Sequence, residues 1–104
     1  MDLLKNQIQH SLQLRPELVE QAANEAELLE LIRQLVQELI DQDFEKLLLV
    51  LYRLDINEAK VKAAIDMAGP SNAPLNIAQL IIEREKQKID TRAKYHTGKS
   101  DWEF

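Results

Sequence analysis

The sequence predicts an all-α fold, a compact bundle of about five helices with a long helix at its C-terminal end. Three observations carry this expectation. Only 2 Gly and 3 Pro occur among 104 residues, fewer than the turns of a β fold require. Leu, Ile, Ala, Glu, Gln and Lys dominate, and all are helix-compatible residues. Apolar residues also recur every third or fourth position along most of the chain, the spacing of one helix face.

A first helix is expected from Asp2 to Leu14, where Leu4, Ile8 and Leu12 form a stripe that Leu3 widens. Pro16 interrupts it and suits the first turn of a short segment reaching Ala23. Asn24-Glu25-Ala26-Glu27 has the form of a capping box: Asn24 accepts from a backbone N–H and Glu27 reaches back. The helix after it, to about Gln42, carries Leu28, Ile32, Leu35 and Leu39 with Leu31, Val36 and Ile40, a stripe wide enough for two neighbours.

Asp43 is placed to cap a helix from Phe44 to Leu54. Its run Leu47-Leu48-Leu49-Val50-Leu51-Tyr52 is apolar all round, so the expectation is a central, most buried helix. A strand is the rival for so short a run, but it would find no partner for its backbone groups. Asp55-Ile56-Asn57-Glu58 reads as a second capping box, opening a helix through Ala68 that Gly69-Pro70 stops. Ser71-Asn72-Ala73 reads as a loop. Pro74 then opens a helix to about Tyr95, with Ile77, Ala78, Ile81, Ile82 and Ile89 inward. The expected organisation is one domain over residues 1–96 and a tail over 97–104.

Two segments, Leu51-Tyr52-Arg53-Leu54-Asp55-Ile56-Asn57-Glu58 and Leu80-Ile81-Ile82-Glu83-Arg84-Glu85-Lys86-Gln87-Lys88, resemble a group of small bacterial all-helical proteins of no known activity. The resemblance covers roughly residues 28–95. It implies the helical fold and brings no activity, cofactor or binding residue with it.

Composition narrows the function classes. Without Cys there are no disulfides, thiol nucleophiles or thiolate metal sites. The opening Met1-Asp2-Leu3-Leu4-Lys5 is unlike a signal peptide, and the apolar run 47–52 is far shorter than a membrane span. The expected location is the cytoplasm, with no membrane partner. The net charge of −5 is unevenly placed, −7 over residues 1–58 and +2 over 59–104. Bulk acidity disfavours wholesale binding to nucleic acid, while a local basic surface remains available.

No motif carries chemistry. Asp55-x-Asn57 opens like a calcium loop, yet the sixth and twelfth positions are Lys60 and Asp66 where Gly and Glu are needed, so a helix cap is the better reading. Gly98-Lys99-Ser100 lacks the first Gly of a phosphate loop, the position being Ala93. His10 and His96 stand without partners at metal-ligand spacing, and Ser11, Ser71 and Ser100 lack a nucleophile elbow. Glu20, Glu25, Glu27, Glu30 and Glu38 fall on polar helix faces. The chain is expected to be no enzyme and to hold no metal or cofactor.

Three features stay open as interaction sites. Arg84, Lys88, Arg92 and His96 recur every fourth residue, a basic ridge that either lies over the domain's own acidic helices or meets an anionic partner, protein or nucleic acid. Trp102 and Phe104 concentrate aromatic surface in the tail, which either folds back or serves as a docking motif. Leu4, Ile8 and Leu12 lie on an arm set off by Pro16, able to fold onto its own domain or a neighbour's. The expected role is a non-catalytic protein-interaction or oligomerisation module, with a protein partner or a homodimer. The alternative is a small regulator that touches nucleic acid through the basic ridge.

Overall fold

A computed structural model describes the chain over residues 1–97, without the side chains of 67, 68, 70, 71 and 95–97. It is an all-helical bundle. In chain order the helices are α1 (Asp2–Leu12), α2 (Pro16–Glu20), α3 (Glu25–Gln42), α4 (Phe44–Arg53) and α5 (Glu58–Thr97). α5 is interrupted at Gly69, whose φ of 78° and ψ of 166° are non-helical.

Local chemistry explains most boundaries. Asn24 caps α3 by accepting from the Glu27 N–H at 2.9 Å. Glu27 in turn accepts from the Ala23 N–H at 2.8 Å, completing the expected box. Asp43 caps α4 by accepting from the Lys46 N–H at 3.1 Å. Pro16 opens α2, where its missing N–H costs nothing. α1 ends on Gln13 in the left-handed region, φ 55°, and the Leu14 N–H bonds back to the Gln9 carbonyl at 3.0 Å. That six-to-one closure is the Schellman form.

The second expected capping box is corrected. Asp55 sits in the left-handed region, φ 63°, and terminates α4, with the Ile56 N–H bonded to the Leu51 carbonyl at 3.2 Å. The cap of α5 is Asn57, whose side chain accepts from the Ala59 N–H at 2.8 Å. Asp55 and Asn57 are both cap-type residues two positions apart, and only the backbone turn decides between them. Asn57→Ala is expected to cost about 1 kcal/mol in urea unfolding. Asp55→Gly, which suits the left-handed turn, should stay near wild type, and equal losses at both positions would refute this division of roles.

The loop expected at Ser71-Asn72-Ala73 is also corrected, because these residues are helical. Gly69 alone makes the break. Its backbone lies in a region open essentially to Gly, although nothing stands within 4 Å of where a Cβ would be. Pro70 then falls in a first turn that needs no N–H from it.

The core is built from Ile8, Leu28, Ile32, Leu47, Leu54, Ile77 and Ile81, all fully buried. α3 packs most extensively against α5, with α4 on another side of α3 and α1 laid against α5. The two-neighbour stripe expected of α3 is therefore in use. The central position expected for α4 belongs instead to α5 beyond its break, where Ile77, Ala78, Ile81 and Ile82 are all buried. α4 lies at the edge: Leu47, Leu51 and Leu54 turn inward, while Leu48, Leu49 and Tyr52 face out. Periodicity could not reveal this, since a run apolar on every side has no polar face to mark the solvent.

Among the described residues, no helix is long and apolar enough to cross a membrane.

Candidate functional site

The outward side of α4 is the least satisfied surface of the described chain. Phe44, Leu48, Leu49 and Tyr52 are all exposed, Leu49 at 67% and Tyr52 at 84%. Helical geometry explains their grouping. Residues 48 and 52 are four apart, as are 45, 49 and 53, so two adjacent ridges project on the side opposite Leu47, Leu51 and Leu54. Beside them runs a groove of about 450–500 Å³ between α4 and the first arm of α5, lined by Leu48, Leu51, Tyr52, Ile56 and Val61. Its mouth carries Glu45 and Glu58. Isolated exposed leucines are ordinary, but a contiguous apolar face on one short helix marks a contact surface.

The sequence marks this run as apolar without naming the side that faces out. A helix of 10 residues at the side of a small domain cannot bury its whole circumference, so the run 47–52 had to leave apolar atoms outside.

The basic ridge is engaged within the chain. Arg84 donates through Nε to the Leu54 carbonyl at 3.3 Å and pairs with Asp55 at 3.2 Å. Lys88 pairs with Glu85 at 2.9 Å. Arg92 donates to Gln7 Oε1 at 2.8 Å. His96 continues the same helix, its side chain outside the described residues. Arg84 therefore fastens α5 to the turn after α4 and Arg92 fastens it to α1, while Lys88 pairs within α5 itself.

Behind the ridge lies a group that sequence reasoning passed over. Glu85 is the buried charged residue among those described, with no exposed surface. Its Oε1 accepts from Ser11 Oγ at 2.6 Å and from Gln7 Nε2 at 2.8 Å, and its Oε2 accepts from Lys88. Arg92 on Gln7 Oε1 sets that amide's orientation, because a flipped amide would aim oxygen at carboxylate. A clue existed: Ile77, Ile81 and Ile89 recur every fourth residue, and Glu85 occupies the vacant place in that inward stripe. Both carboxylate oxygens are engaged within the chain, and Glu85 itself has no exposed surface to offer a substrate.

The face expected to serve self-association on α1 is also covered. Leu4 and Ile8 are buried in the chain's own core, and Leu12 is half-buried against it. The tail with Trp102 and Phe104, and Gly98-Lys99-Ser100 with it, lies outside the described residues.

Electrostatics elsewhere are those of solvated helix faces. Hydrogen bonds from Arg33 first, and from Gln34, pull the Glu30 carboxyl down to about 2, and Glu30 in turn raises the Arg33 guanidinium. Both lie on the open side of α3, three residues apart, at 2.6 Å. A surface pair of this kind adds little to stability. Comparison with protein-family models, with curated proteins and with solved structures found no match to this chain.

Proposed function

We propose that the chain is a non-catalytic protein-interaction module that docks through the outward face of α4. One observation carries this reading: four large apolar side chains, Phe44, Leu48, Leu49 and Tyr52, stand exposed together on a helix of 10 residues. Burying Tyr52 alone removes on the order of 150–250 Å² from water, and aromatic anchors of this kind are enriched in interface cores. The cytoplasmic location expected from the sequence belongs to the same reading.

Binding of nucleic acid through the basic ridge receives less support. Arg84, Lys88 and Arg92 already hold partners in the chain, and the net charge of −5 repels phosphate at longer range.

Photo-crosslinking tests the docking face. A benzophenone amino acid replacing Leu49 or Tyr52, in cells making the full chain at native levels, is expected to yield discrete protein adducts. The same group at Gln34, exposed on α3, should yield none. Equal adducts from all three positions, or none from any, would reject the reading.

A further inference from the structure

One ridge of the α4 face is apolar at its centre and oppositely charged at its two ends. Glu45, Leu49 and Arg53 form a single ridge, four residues apart, and all three are exposed. Glu45 therefore stands one turn, about 6 Å, on the N-terminal side of Leu49, and Arg53 the same distance on the C-terminal side. Leu48 and Tyr52 make the neighbouring ridge. Among the described residues Glu45 has no partner, and Arg53 has only the Ser11 carbonyl, to which it donates at 3.2 Å. A neutral carbonyl uses one of five guanidinium donors and leaves the positive charge without a counterion.

This pattern is complementary to itself once it is reversed. We infer that the α4 face pairs with a second copy of this chain, the two α4 helices running antiparallel across a two-fold axis at Leu49. The operation sets Leu49 beside its symmetry mate and brings Glu45 of each copy to Arg53 of the other. It also opposes the two helix dipoles. Packing one i±4 ridge alongside its mate is the commonest geometry for helices in contact. A parallel pairing would set Glu45 on Glu45 and Arg53 on Arg53. A uniformly acidic or uniformly basic partner would oppose one end of the ridge with its own sign. The second copy satisfies both ends at once, and every favourable contact occurs twice.

Size sets the strength. A helix of 10 residues is about 15 Å long, and its outer face covers less than the roughly 800 Å² per partner of a standard interface. The pair is consequently expected to be a reversible dimer.

The inference rests on α4 being the docking face, and sedimentation equilibrium of the full chain from low micromolar to millimolar concentration tests it. Wild type should follow a monomer–dimer equilibrium. Glu45→Arg and Arg53→Glu, each acting twice across the axis, should weaken it by about ten-fold or more. An equimolar mixture of these two variants restores both opposite-charge contacts and should recover association to within about three-fold of wild type. Leu49→Glu, at an exposed position, should abolish the dimer while leaving the melting temperature unchanged. A wild type that stays monomeric at millimolar concentration overturns self-pairing, as does a dimer indifferent to all three substitutions. Cross-links from position 52 to a different protein, beside a monomeric wild type, would remove the second copy as partner and keep the docking face. A dimer indifferent to these changes with no cross-links from 52 would remove both.

Discussion

Glu85→Ala is expected to lower the unfolding free energy by about 3–5 kcal/mol, the usual cost of breaking a buried ion pair from one side. The carboxylate is fully buried and gathers Ser11, Gln7 and Lys88 around itself. Removing it leaves a hydroxyl, an amide and an ammonium group, each half-buried, without their acceptor, and the desolvation already suffered by each is no longer offset. Marginal stability of about 5–15 kcal/mol makes this a loss of a fifth or more. Glu85→Gln keeps an acceptor oxygen of the same shape and should lose roughly half as much, mostly through Lys88. Urea unfolding at neutral pH measures both. A Glu85→Ala loss under about 1 kcal/mol would mean that water or a rearranged α1 replaces the network.

Leu51→Ala should cost about 2–5 kcal/mol, and Leu48→Ala, three residues away in the same apolar run, less than about 1 kcal/mol. Leu51 is 3% exposed and its truncation leaves a cavity beside α3 and α5, whereas Leu48 is 44% exposed and its truncation opens onto water. Comparable losses at the two positions would mean that α4 is enclosed on both sides, and the docking face would fall with that result. The pair thus checks the orientation of α4 independently of any partner.

Legibility in the sequence followed the range of the interactions. Asn24 and Asp43 cap the helices expected of them because a cap is decided within three or four residues. Gly69 was legible as a break for a similar reason, although the loop inferred after it was not needed. The orientation of α4 was hidden because an all-apolar run names no outward side. Glu85 was hidden because its partners on α1 lie more than seventy residues away, and only the interrupted isoleucine stripe hinted at it. The basic ridge was visible as a pattern, but its meaning depended on which carboxylates and carbonyls faced it in space.

The network at Glu85 also says something about the order of assembly. Gln7 and Glu85 are 78 residues apart, so their contact closes about three-quarters of the chain into one loop. The equilibrium penalty for a loop this long grows only logarithmically, by about 0.6 kcal/mol per doubling. The kinetic consequence is larger, because contacts between distant residues must wait for the intervening chain to be arranged. α3 with α4 forms from near neighbours and presents a surface early. α1 has no place to settle until the second arm of α5 has joined α3. On this topology α1 is expected to be the last of these helices to find its seat, because its partners lie on the distant arm of α5.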